Sequence, residues 1–348
     1  MLTLSQATSE TRSILKWGGV IILLLFFAFL VFRLGSYFKD KFFPTPPPAP
    51  TVTFGKLPAI VFPNNSSDKN FSYSLDTVSG TVPVFPDTLK VYKMVSNPPD
   101  LLALQKAKSK VGSVGFNSNE IPVSNRVYQW NDNGPLNKTI TMDIFSSNFS
   151  LSSDFISDPI VQAAGNLPDP NGSITVAQTF LSTMDSLPND IDPSKTQTFL
   201  FSINNSTLTT ATSISNAQVI EVDLFQKDID ELPIYYPRAV NSTMTLLVVA
   251  GQDQPQVAQV NYYHQSISGA NSTYPIKTAQ QAYDELKQGK GYIASYFGKS
   301  DYISIKNVSL GYYIGDKKQD YLIPIAVFEG NDGFFAYIPL VSDEWINK

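Results

Sequence analysis

The sequence predicts an α+β fold: an N-terminal transmembrane helix, then two or three modules in which one helix packs on an antiparallel sheet. Three observations predict it. An unbroken apolar run extends from Trp17 to Phe32. Beyond it, three segments with helical apolar spacing are each followed by strand-like runs rich in Val, Ile, Tyr and Phe. Aromatic residues make up 12% of the chain and are mostly Phe and Tyr, which suit a pleated surface.

The apolar run comes first. A helix crossing ~30 Å of hydrocarbon needs about 20 residues. Ile14 to Gly35 reaches that length if Lys16 and Arg33 extend their charged ends to the headgroups. Trp17 and Tyr37 then fall at interfacial depth. Residues 1–13 are thus expected as a short cytoplasmic tail, 14–35 as the span in contact with the lipid bilayer, and 36–50 as a juxtamembrane and proline-rich linker. A cleaved signal peptide would carry a shorter apolar stretch ending in a small-x-small site, and Phe32-Arg-Leu-Gly-Ser-Tyr-Phe38 does not supply one. Flanking charge does not set the orientation, because Arg12 and Lys16 are balanced by Arg33, Lys39 and Lys41. The polar, strand-rich, lysine-poor body is the reason to expect a single-pass protein of the cell membrane with the body extracytoplasmic. Pro44-Thr-Pro-Pro-Pro-Ala-Pro50 reads as a polyproline II spacer, rising ~3.1 Å per residue.

Residues 51–172 are expected to form a first α+β domain, 173–275 a second, and 276–348 a C-terminal helix-plus-sheet module. The first helix spans Pro98 to Val111, with Leu101, Leu104, the stem of Lys108 and Val111 on one face and Gly112 as its stop. Strands follow at Arg126–Trp130 and Thr139–Phe145, around the turn signal Asn131-Asp-Asn-Gly134. The second helix spans Thr175 to Leu187, opened by a Thr175/Gln178 capping box. Its strands are Thr196–Ile203, Ala217–Phe225, Met244–Ala250 and Val257–Ile267. The third helix spans Thr278 to Gln288, with a Thr278/Gln281 capping box and an apolar stripe of Ala279, Ala282, Tyr283 and Leu286. Strands at Tyr302–Tyr312, Tyr321–Phe328 and Phe334–Leu340 follow, with turns at Gly315–Lys318 and Gly330–Gly333. The helix starts are unevenly spaced, which argues against a solenoid.

Composition narrows the function. Net charge is −5 and no basic stripe lies outside the membrane flank, so no nucleic-acid partner is expected. The chain has no cysteine, which excludes disulfides, thiolate metal sites and a cysteine nucleophile. Its one histidine, His264, excludes a histidine-rich metal site and reads as a residue on a half-exposed strand face. Ser66-Ser-Asp-Lys69 matches S-x-x-K by letters only, in a polar loop. Asp76-Thr-Val-Ser-Gly80 lacks the second copy and the glycine placement of an aspartic protease. Asp190-Ile-Asp192 and Asp228-Ile-Asp-Glu231 are flanked by proline and read as solvated turns. Gly112-Ser-Val-Gly115 is too short, and lacks the lysine, to cradle a phosphate. No catalytic, cofactor-binding or metal-binding residue is assigned. The candidate partner-binding residues are Tyr262, Tyr263, Tyr312 and Tyr313. Alternation along a strand puts one ring of each pair inward and one outward, where outward rings could form a peptide or glycan platform. Cross-strand pairing of sheet-surface aromatics is the plainer alternative.

Three stretches near the C-terminus carry a resemblance: Ala282-Tyr-Asp-Glu-Leu-Lys-Gln-Gly289, Val308-Ser-Leu-Gly-Tyr-Tyr313 and Tyr321-Leu-Ile-Pro-Ile-Ala-Val-Phe328. This tail resembles the C-terminal part of the YycH/YycI family of single-span extracytoplasmic regulators, which sit beside a cell-wall sensor kinase in Gram-positive bacteria. Gly115-Phe116, Tyr128-Gln-Trp130 and Ile140-Thr-Met-Asp-Ile144 are similar to a PepSY-type unit, often inhibitory or scaffolding. The resemblance implies a membrane-tethered, extracytoplasmic, non-enzymatic binding or regulatory protein of the cell envelope. Its partner would be an envelope protein such as a sensor kinase, or further copies of itself. Two alternatives stay open. One is an envelope hydrolase using paired carboxylates, which requires two acidic side chains ~5–10 Å apart in one cleft. The other is a self-associating structural surface protein.

Overall fold

The computed structural model describes residues 16–33, 49–65 and 70–347. The expected cytoplasmic tail, both ends of the expected span, most of the proline-rich linker and Ser66–Lys69 lie outside the described residues. The chain divides into two compact units, Met1–Ala49 and Pro50–Lys348. In the first, helix α1 (Lys16–Arg33) has a mean hydropathy of 2.0, and its apolar side chains are exposed along its length. It is long and apolar enough to cross a membrane.

The second unit is α+β and mostly sheet, with seventeen strands in two sheets among the described residues. In chain order, β1 (Ser72–Leu75) and β2 (Thr88–Met94) precede α2 (Ala103–Gly112). Then come β3 (Ile121–Pro122), β4 (Val127–Asp132), β5 (Lys138–Asp143), β6 (Phe149–Ser152), α3 (Pro159–Ala163) and α4 (Pro170–Thr183). After them run β7 (Gln197–Asn204), β8 (Thr207–Thr210), β9 (Val219–Asp223), β10 (Ile234–Tyr235), β11 (Met244–Val249), β12 (Gln256–Tyr262) and β13 (Ile267–Pro275). The chain ends with α5 (Ala279–Lys287), β14 (Tyr292–Ser295), β15 (Tyr302–Tyr313), β16 (Tyr321–Gly330) and β17 (Phe335–Pro339).

The nine-stranded sheet runs β3-β4-β5-β6-β12-β11-β9-β7-β8 and every pairing in it is antiparallel. Its strands alternate apolar residues between two buried faces. Ile140, Met142, Ile220, Val222, Leu246 and Val260 pack against Ala107 and Val111 of α2 and Ala177 and Leu181 of α4. Val219, Leu247, Val249 and Ala258 face the other way, against Val161 of α3 and Phe155. The eight-stranded sheet is mixed, because β1 and β10 run parallel to β15. Helix α5 covers it with Ala282, Tyr283 and Leu286 on Ile303, Ala326, Phe328 and Ile338.

Strand pairing crosses the expected domain boundaries at 172/173 and 275/276. β6 pairs with β12, Leu151 opposite Val260, and β2 pairs with β13 and with β16. The nine-stranded sheet is therefore an excursion of the chain between β2 and β13. Ile267 lies opposite Met94 across that pair.

Two helices also differ from expectation. The second starts at Pro170 and ends at Thr183, not Thr175–Leu187, because Asp169 caps it by accepting Gly172 N–H at 2.7 Å and proline occupies the first turn. The first starts only at Ala103, since Asp100 turns the chain by accepting Leu102 N–H at 2.9 Å. Its buried face is Ala103, Ala107 and Val111, and Leu101 is fully exposed. The third helix is as expected, with both bonds of the Thr278/Gln281 capping box in place.

Candidate functional site

Because β2 and β13 pair, the chain leaves and rejoins the eight-stranded sheet at neighbouring points, and Val95 N–H donates to Ser266 C=O at 2.8 Å. Two hairpins converge on this crossing. One joins β5 to β6 from the nine-stranded sheet, and the other joins β15 to β16 from the eight-stranded sheet. Together with Arg126 from the β3–β4 connection, these four connections line a groove of about 820 Å³ between the sheets.

Each connection contributes a different chemistry. The β5–β6 hairpin is shaped by Asp143, whose carboxylate accepts Phe145 N–H at 2.9 Å and Ser146 N–H at 3.1 Å. The same carboxylate binds Arg126 at 2.7 Å, and the guanidinium lies over the Phe145 ring at 5.5 Å. Asn148 of this hairpin accepts the backbone N–H of His264 at 3.0 Å. The His264 side chain is only 11% exposed, and its Nε2 meets Asp190 at 2.9 Å. Gln226 donates to the other oxygen of Asp190 at 2.9 Å. Burial pulls the Asp190 carboxyl up, but the bonds and charge of His264 and the bond from Gln226 outweigh it and hold the group below the usual range. Gln265 clamps the β12–β13 connection to the β15–β16 hairpin, donating to Gln319 C=O and accepting Gln319 N–H. That hairpin brings Asp316, Lys317 and Lys318, all exposed, to the rim. The two lysines form no ion pair among the described residues.

At its other end the groove continues into a recess of about 690 Å³ bounded by Pro98, Pro99, Leu101, Leu102 and Phe145. The site thus has a basic rim, a floor of hydrogen-bonding groups and an apolar end. Asp190 fixes the imidazole ring, yet no hydroxyl bonds that ring among the described residues. Of the two acidic side chains on the groove itself, Asp143 is held by Arg126 and Asp316 is exposed. Among the described residues no group of three or more His, Asp or Glu side chains could hold a metal ion.

The structure separates the four predicted tyrosines. Tyr263 is half-buried and lines the groove; burial raises its hydroxyl pKa, and Asp316 and Asp143 add to the effect. The other three are not a platform. Tyr262 is buried against Phe149, ring centroids 5.0 Å apart, and donates to Ser186 C=O at 2.7 Å. Tyr312 is fully buried and donates to Lys90 C=O at 2.9 Å. Tyr313 is fully buried between Phe62 and Tyr337. The expectation of one outward ring per pair fails at 312–313 because chain outside the sheet packs on both faces of β15 there: Phe225, Ile229 and Leu232 with Tyr312 on one side, Phe62 with Tyr313 on the other.

Arg126, Asn148, His264, Lys317 and Lys318 are missed by the sequence reading as site residues. His264 lies beyond the end of β12, in a connection and not in a strand. Its uniqueness in the chain was the one available signal. The acidic pairs disperse: Asp190 holds His264, Asp192 caps a turn at Ser194, Asp228 pairs with Lys195, and Asp230 binds Lys90 and Tyr92.

No family model matches the chain, and no curated protein matches its sequence. Among solved structures it is similar to an uncharacterized protein from Eubacterium rectale ATCC 33656, at 11% identity and a TM-score of 0.39, over 79% of this chain and 90% of that one.

Proposed function

We propose that the chain is a membrane-tethered, extracytoplasmic binding protein of the cell envelope, without catalysis of its own, whose groove receives an extended segment of a partner protein. The observation that carries this reading is the convergence of four connections from two sheets on one open groove. An extended segment presents alternating backbone donors and acceptors, and the groove offers Asn148, Ser147, Tyr263 and His264 to meet them. The basic rim and the apolar recess add charge and shape selection. The apolar helix α1 supports the tether. The resemblance of the tail to YycH/YycI regulators makes a sensor kinase in the same membrane the first partner to test.

The experiment uses the full chain in its own membrane. A photo-crosslinking residue at Tyr263 should give one discrete adduct, and the same residue at fully exposed Val78 should not. Lys317→Glu with Lys318→Glu should remove the adduct. Identical patterns at both positions would sink the groove reading. Protease added to intact cells should digest the body; protection lasting until lysis would overturn its extracytoplasmic placement.

A further inference from the structure

The nine-stranded sheet ends at β3 on one side and β8 on the other. Open edges invite pairing with another chain, and proteins usually blunt them with charge, proline or brevity. β3 follows that rule: it is two residues long and contains Pro122, which has no N–H to donate. β8 does not. It is Thr207-Leu-Thr-Thr210, exposed at all but Leu208. Between Lys195 and Glu221 no residue carries a charge and none is proline.

The ladder shows which groups are free. Asn205 and Ser206 have positive φ, 49° and 60°, the two-residue turn that closes on an exchanged pair of hydrogen bonds. Asn204 and Thr207 form that pair, and Ala211 N–H donates to Leu200 C=O at 2.8 Å two steps further along. Alternation then assigns Thr207 and Thr209 inward to β7. Leu208 and Thr210 point their N–H and C=O outward, away from the sheet.

We infer that β8 pairs antiparallel with β8 of a second copy of this chain about a two-fold axis. In that register Leu208 of each copy exchanges bonds with Thr210 of the other, and Thr209 faces Thr209. The edge is self-complementary because it is uncharged, so a two-fold axis brings no like charges together. A head-to-tail contact of β8 on β3 is blocked by Pro122, so the pairing closes as a dimer and does not run on into a fibre. This inference does not depend on the groove.

The absence of cysteine makes the test direct. Thr209→Cys in the full chain places two thiols across a non-hydrogen-bonded antiparallel pair, where Cα atoms lie ~4.5 Å apart, within disulfide range. Mild oxidation of membranes should shift the band to twice the monomer mass, reversed by reductant. Ile121→Cys, on the β3 edge, should stay monomeric under the same oxidation. Adding Thr210→Pro to Thr209→Cys removes one outward donor without touching the β7 ladder and should abolish the dimer while the thermal unfolding midpoint holds. The inference falls if Thr209→Cys dimerises no more than Ile121→Cys, or if it links instead to a protein of another mass.

Discussion

Asp223 shows how much a single buried carboxyl can weigh. It is fully buried on β9, two residues from Glu221 on the same face. Burial first, and then the charge of Glu221, push its pKa up to about 7, against weaker opposing bonds from Ser242 N–H and Asn241. The unfolded carboxyl titrates near ~3.9. The folded state therefore holds its proton to higher pH. This contribution to stability is whole below about pH 4, declines as pH rises to about 7 and is flat above that. Asp223→Asn should abolish the decline, leaving the variant more stable than the parent at pH 8 by on the order of 4 kcal/mol. Urea unfolding at pH 4.5 and pH 8 reads the difference, and an unchanged pH slope would contradict the assignment. The tyrosines make a second residue-scale test. Tyr312→Phe loses the bond to Lys90 C=O and should cost about 1 kcal/mol. Tyr313→Phe removes a buried hydroxyl that has no partner among the described residues, so thermal unfolding should show no loss. The sequence places both rings on one strand; it cannot say that separate layers cover both faces. Nor does anything local link His264 to Asp190, 74 positions away.

At the scale of elements, the lesson is which of two similar signals wins. Thr175/Gln178 and Thr278/Gln281 are the same letters at the same spacing. The second pair caps α5: Gln281 N–H donates to Thr278 Oγ1 at 3.2 Å, and Thr278 N–H to the Gln281 side chain at 2.8 Å. The first pair lies inside α4, where Thr175 merely donates back to Asn171 C=O at 3.1 Å. Asp169-Pro170 preempts it, since proline needs no N–H partner at the first helical position and its φ is already helical. Thr278→Ala and Asp169→Ala should each cost about 1 kcal/mol, and Thr175→Ala only a few tenths, by chemical denaturation. Equal losses at Thr175 and Thr278 would overturn this account. The long strands were legible because their residues alternate and their turns carry glycine: β15, β16 and β17 lie within two residues of expectation at each end. β1, β2, β8 and β13 were not legible. β1 and β8 are short, β13 is polar and β2 lacks a clean alternation, and distant partners hold β1, β2 and β13 in place.

Those distant partners decide how the whole molecule can be cut. The sequence offers three consecutive modules, but no local pattern shows that β2 lies against β13 and β16, or that β6 lies against β12. Cutting at 172/173 leaves β6 and its three preceding strands without β12, β11 and β9, half of the apolar surface that covers α2 and α4. Cutting at 94/95 and 266/267 severs the crossing, whose two strands of chain already lie side by side through Val95 and Ser266, and the contacts that Asp230, Ile234, Tyr235 and Gln265 make with the eight-stranded sheet. Residues 95–266 keep all nine strands of their sheet, with α2 and α4 on one face and α3 on the other. Within the fragment, β10 is the one strand left without its partner, since it pairs with β15. A fragment of residues 95–266 should thus unfold in urea as one cooperative transition, its slope that of a domain of this size. Residues 51–172 should show no such transition, because they keep one edge of a sheet and half of its core. If 51–172 unfolds cooperatively and 95–266 does not, the sheet is not the folding unit and consecutive modules are.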